Sequence, residues 1–197
     1  MTITNAGQSS AGSGTNSISV PWPAGVAAGQ MAVLSVASKY STAKPDTPSG
    51  WTLVGNAQGG TAVDAADSGH TDISVFYKIE DGTETGTVAV TITGGNVAYG
   101  RMNHYSKTKD TWSVAATTGS VNSASASWSA TGAIDPGIAN TDMVIACSAI
   151  NTDAYTYSAE LLAVTGVKFS AAVERADTGT STGDDLWMVI SEHKATA

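Results

Sequence analysis

Hydrophobic and polar positions alternate in short stretches along much of the chain. Ser17-Ile18-Ser19-Val20 and Thr87-Val88-Ala89-Val90-Thr91-Ile92-Thr93 change side at every residue, which is the period of a strand with one buried face. Over Asp72 to Glu80 the same period sets Ile73, Val75, Tyr77 and Ile79 on one side. Thr2-Ile3-Thr4 and Val97 to Ser106 are also read as strands. Two stretches do not alternate. Met31 to Ala37 and Met143 to Ile150 are short, nearly continuous apolar runs, and such runs between turn signals predict strands buried on both faces. Pro23 to Gly29, Pro48-Ser49-Gly50, Asp81-Gly82 and Gly94-Gly95-Asn96 punctuate the strands, because proline fixes φ and glycine tolerates positive φ. Gly7 to Gly14 reads as a Gly/Ser-rich stretch, a candidate for a mobile segment that orders on binding, and Asn56 to His70 as a long loop.

The second half follows the order of the first. Ile134 to Asp142 resembles the Pro/Gly entry at 23–30, and Met143 to Ile150 corresponds to the apolar run at 31–37. Val167 to Glu174, followed by Asp177-Thr178-Gly179, corresponds to Ile73 to Gly82. Leu186 to Ser191 then closes the chain as Tyr99 to Ser106 closes the first half. Regular short strands, Gly-rich turns and no amphipathic helix predict an all-β protein, a jelly-roll-like two-sheet β-sandwich. The expected organisation is a single domain over 1–197, with half-units of about 1–110 and 111–197. Neither half would bury both of its faces alone.

Composition narrows the function classes. The 197 residues are 42% hydrophobic and only 13% charged, about half the usual ~25% charged share. Disorder needs low hydrophobicity and high charge, so it is excluded. The net charge of −8, from 17 acidic and 9 basic residues, disfavours nucleic acid and anionic membrane surfaces, which attract Lys and Arg. Arg101, His104, Lys107 and Lys109 form the one basic cluster, read as a solvated strand end and loop. Met1 to Asn5 has no signal-peptide pattern, and no apolar run approaches the ~20 residues of a membrane span. Synthesis in a reducing cytoplasm is the expectation.

Candidate chemistry is sparse. Asp64, Asp67, His70 and Asp72 are the densest set of metal-ligating types, but their spacing fits neither an EF-hand nor a zinc motif. Asp177, Asp184 and Asp185 read the same way, as acids of a solvent loop. Cys147 lies in an apolar run and reads as a small buried hydrophobe. His70, His104 and His193 are far apart, and no Gly-x-Ser-x-Gly elbow accompanies them. No catalytic residue, metal or cofactor is expected. Of the five tryptophans, Trp51 and Trp187 fall in apolar strand patterns and are expected in the core. Trp112, Trp128 and the pair Tyr155 and Tyr157 stand among polar residues, as rings that stack on a sugar or anchor a protein interface.

Pro23 to Gln30, then Pro48-Ser49-Gly50-Trp51-Thr52-Leu53-Val54, then Phe76-Tyr77-Lys78-Ile79 with Gly82-Thr83-Glu84 carry a resemblance. In order and spacing they resemble a β-sandwich family of tailed-bacteriophage virion proteins, best over residues 2–106. The resemblance implies a structural or surface-attachment module without catalytic residues. With strands predicted close to both ends, the expectation is a stand-alone capsid decoration (cement) protein. Its expected partners are the major capsid protein or other virion proteins, in a homo-oligomer or symmetric array on the particle. A tail, collar or host-attachment component and a carbohydrate-binding module recognising a glycan are the alternatives.

Overall fold

The computed structural model describes residues 2–39, 44–60, 70–108, 111–115, 118, 142–150, 168–180 and 186–196. Among them the chain forms twelve strands and no helix, so the fold is all-β. In chain order these are β1 (Ile3–Gln8), β2 (Gly12–Gly14), β3 (Ser17–Pro21), β4 (Met31–Lys39), β5 (Thr52–Gly59) and β6 (Thr71–Ile79). There follow β7 (Thr87–Thr91), β8 (Ala98–Lys107), β9 (Met143–Ile150), β10 (Lys168–Phe169), β11 (Val173–Thr180) and β12 (Leu186–Thr196).

The strands make antiparallel sheets packed face to face. The largest runs β1-β8-β4-β6-β5, with β2 continuing along β8 beyond β1. β3 and β7 pair as a small sheet over one of its faces. Ile18, Val20, Val88, Val90 and Ile92 there meet Ala32, Leu34, Val36, Phe76 and Met102 of the large sheet. Over the opposite face lies a third sheet, with β12 central, β9 on one edge and β11 and β10 on the other. Its Leu186, Met188, Ile190, Ile145 and Cys147 pack on Ala37, Ile73 and Val75.

The expected sandwich therefore forms, and its large sheet is covered on both sides. This accounts for β4, all nine of whose residues are buried. Even-numbered positions of β4 face the β3–β7 sheet and odd-numbered ones face the C-terminal sheet, so both sides of this strand are largely apolar. β3 and β7 cover one face only and keep strict alternation. In the first half β4 lies between β6 and β8, whereas in the C-terminal sheet the central strand is β12, the last in the chain. Asp177-Thr178-Gly179, matched in sequence to a turn, lies within β11.

The Gly/Ser stretch at 7–14 is a correction: it is built into the sheet. Gly12 and Gly14 pair with Gly100 and Ala98 of β8, and Ser9 is buried, its amide donating to the Met102 carbonyl at 2.8 Å. A Cβ on Gly12 or Gly14 would overlap the carbonyl oxygens of Ser19 or Ser17, so the small residues let β2 approach β3 closely. The turn at Pro48 behaves as predicted. Trp51 N donates to Pro48 O at 3.1 Å, and Gly50 between them takes φ 79°, the type II geometry that favours glycine. Both edge strands of the large sheet carry a bulge, β1 between Asn5 and Gly7 and β5 between Leu53 and Gly55.

Candidate functional site

Trp112 is the one predicted contact ring within the described residues; Trp128, Tyr155 and Tyr157 lie outside them. Its indole is half-buried against the cluster of Met31, Val33 and Tyr105. Nε1 donates to the Gly29 carbonyl at 2.9 Å, and the Lys107 ammonium sits 5.2 Å from the ring centroid. Lys107 also donates to Thr111 O at 2.6 Å. Lys107 and Trp112 thus meet beside the 23–30 loop, with the tryptophan fastened to it through Gly29.

The most connected polar group joins the large sheet to the C-terminal sheet. Glu192 continues the inward-facing series Leu186, Met188, Ile190 of β12 and is 2% exposed. Its Oε1 accepts from Tyr105 OH at 2.7 Å and from Asn5 Nδ2 at 2.8 Å. Its Oε2 lies 2.7 Å from Arg175 Nε. Gln8, oriented to satisfy both ends of its amide, donates to Arg175 O at 3.0 Å and accepts from Arg101 at 3.1 Å. One carboxylate therefore binds β1, β8 and β11 to β12. Burial, then the neighbouring Glu192 charge, holds the Tyr105 hydroxyl well above its ordinary range, so it remains a donor.

A second group lies at the end of the sandwich where β6 turns toward β7. Trp22 stacks on buried Trp51 with centroids 5.5 Å apart, and Lys78 lies 5.6 Å from the Trp22 ring. Lys78 pairs with Glu84 at 3.0 Å. Glu84 also accepts from the amides of Asp81 and Gly82 at 3.0 Å each. Partial burial opposes ionisation there, but these amides and Lys78 outweigh it and hold the Glu84 carboxyl at about 2. Beside this turn, Glu80 and His104 are both fully buried, 3.4 Å apart. The basic cluster is accordingly corrected. His104 faces inward with Met102, while Arg101 and Lys107 lie on the other side of β8, because alternate residues of a strand take opposite faces.

Of the acidic candidates, Asp72 is buried and accepts from Asn56 at 2.6 Å and Ser74 at 3.2 Å. Burial raises its carboxyl above the usual range, with those hydrogen bonds and Lys44 opposing. Asp177 accepts from the Trp187 indole, which lies over Gly179 on the outward side of β12, half-buried where full burial was expected. Asp64, Asp67, Asp184 and Asp185 fall outside the described residues. Cys147 Sγ lies 3.2 Å from Ser35 Oγ in the seam between sheets.

Glu192, Asn5, Arg175 and the Glu80–His104 pair escaped the sequence reading. For Glu192 a signal existed, since the period-two series from Leu186 places it on the apolar face. For Glu80 and His104 none did, as their meeting depends on β6 and β8 flanking β4. Compared with protein-family models, curated proteins and solved structures, the chain matches none of them.

Proposed function

We propose that this chain is a non-enzymatic structural module of a bacteriophage virion, a decoration protein bound to the capsid surface. One observation carries the structural part of this reading. Three polar side chains of the described residues tie strands, layers or turns together: Glu192 links four strands, Asp72 joins β5 and β6, and Glu84 closes its own turn. Groups engaged in this way stiffen a scaffold. The resemblance of residues 2–106 to virion sandwiches supports the location. The low charge of the surface fits close packing on a neighbouring shell, where many weak, symmetry-repeated contacts add up.

Quantitative mass spectrometry of purified particles tests the proposal by counting this chain against the major capsid protein. A copy number comparable to the capsid protein's is expected. A few copies per particle would reassign the chain to the tail or collar. Absence from the particle would overturn the proposal, and a glycan-binding screen would then follow.

A further inference from the structure

Glu80 and His104 fasten a loop from inside the fold. Neither side chain is solvent-exposed. Among the described residues, Glu80 Oε1 and both imidazole nitrogens make no hydrogen bond, and buried polar groups left so destabilise a fold. The other carboxyl oxygen, Oε2, accepts from the Ala27 amide at 3.3 Å, which that amide shares with Gln30 Oε1 at 3.0 Å. The Glu80 backbone grips the same loop, accepting from Gly29 N at 2.9 Å and donating to Gln30 O at 2.8 Å. From its other side the loop is held by Trp112 through the Gly29 carbonyl.

Few charges face the pair. β1 presents Gly7 and β4 presents Ala32, both uncharged. β6 contributes Lys78 and the following turn contributes Glu84, and these two are paired with each other. The 23–30 loop offers only backbone groups and Gln30. We propose that the buried Glu80 carboxyl holds a proton inside the fold, and that losing it unseats the 23–30 loop together with the Trp112 indole. Among the described residues the nearby Lys78 is engaged by Glu84, so ionised Glu80 is a costly buried charge, and opening the loop to water relieves it. Burial raises the Glu80 carboxyl above its ordinary 4.5, with the Ala27 amide and His104 opposing. A carboxyl raised on folding stabilises fully below its unfolded value and loses that contribution as pH rises through its folded value. The loop therefore loosens with rising pH.

Hydrogen exchange of the full chain, corrected for intrinsic rates between about pH 5 and about pH 8, tests the device. Protection at Ala27, Gly29 and Glu80 is expected to fall about tenfold or more across that range. In Glu80→Gln, which keeps an acceptor and cannot ionise, it should stay level. Parallel profiles in the two proteins would overturn the proposal. Carbon-13 NMR of glutamate-labelled wild type tests it without a variant: the Glu80 carboxyl should titrate above the ordinary range, and the Trp112 indole N–H should move with it. Titration in the ordinary range, or an indole that stays still, would equally overturn it.

Discussion

Gly100 sits where β8 passes beneath β3, and a Cβ there would lie 2.5 Å from Ile18 Cδ1 and 2.6 Å from Val20 Cγ2. Both neighbours are fixed in the core, so Gly100→Ala overpacks it. A loss of about 1–3 kcal/mol is expected, read as a lower urea midpoint at unchanged m-value. Glu84 sets an acid limb of stability. Its carboxyl lies at about 2 in the folded protein against 4.5 as its ordinary value. A carboxyl lowered on folding contributes fully above its unfolded value and loses that contribution as pH falls through its folded value. Melting temperature should thus drop between about pH 4.5 and about pH 2, and Glu84→Gln should flatten part of that fall. These two residues differ in legibility. Gly82-Thr83-Glu84 is a local turn and could be read from the chain, whereas Gly100 became meaningful only once β3 was laid across β8.

At the scale of elements, β4 and β12 show how burial overrides simple alternation. β4 is central in the large sheet and covered on both faces, so a polar residue there must find a partner in a neighbouring layer. Ser35 does so with Cys147 of β9, 3.2 Å away. Ser35→Cys is expected to form a disulfide with Cys147 under mild oxidation, since the two side chains already meet. Loss of both free thiols at unchanged monomer mass on a non-reducing gel checks the bond. By loop closure alone it would add at most about 5 kcal/mol, visible as a raised unfolding midpoint. The bulges of β1 and β5 interrupt the ladder at both edges of the large sheet, and such breaks disfavour pairing with a further strand.

For the molecule as a whole, the described residues up to Thr108 form two packed layers, yet they leave one face of the large sheet without its cover. Met31, Val33, Ala37, Ile73 and Tyr105 on that face are buried by, or packed beside, residues of β9 and β12. A fragment ending after Thr108 should consequently associate in a concentration-dependent way, as light scattering after size exclusion would show. A monodisperse monomer of native stability would contradict this account of the layers. In the full chain, Glu192→Ala leaves Arg175, Tyr105 and Asn5 without their shared acceptor. About 3–5 kcal/mol is expected for breaking a buried pair, measured by urea unfolding.

What the sequence by itself determined is local and periodic. Alternation over 17–20 and 87–91, the apolar run at 31–37 and the glycine turns at 50 and 82 specify strands, faces and reversals, because strand period and φ preference act over neighbouring residues. The all-β sandwich follows from them. Only the tertiary structure decided which faces meet. It built both ends of the Gly/Ser-rich stretch Gly7 to Gly14 into paired strand, moved His104 from surface to interior, and gathered Glu192, Tyr105, Asn5 and Arg175 from four strands. Those outcomes depend on strand order and layer stacking, which join residues as far as 187 positions apart. No local pattern records such distances, since the free energy that selects them is the burial of whole faces against one another.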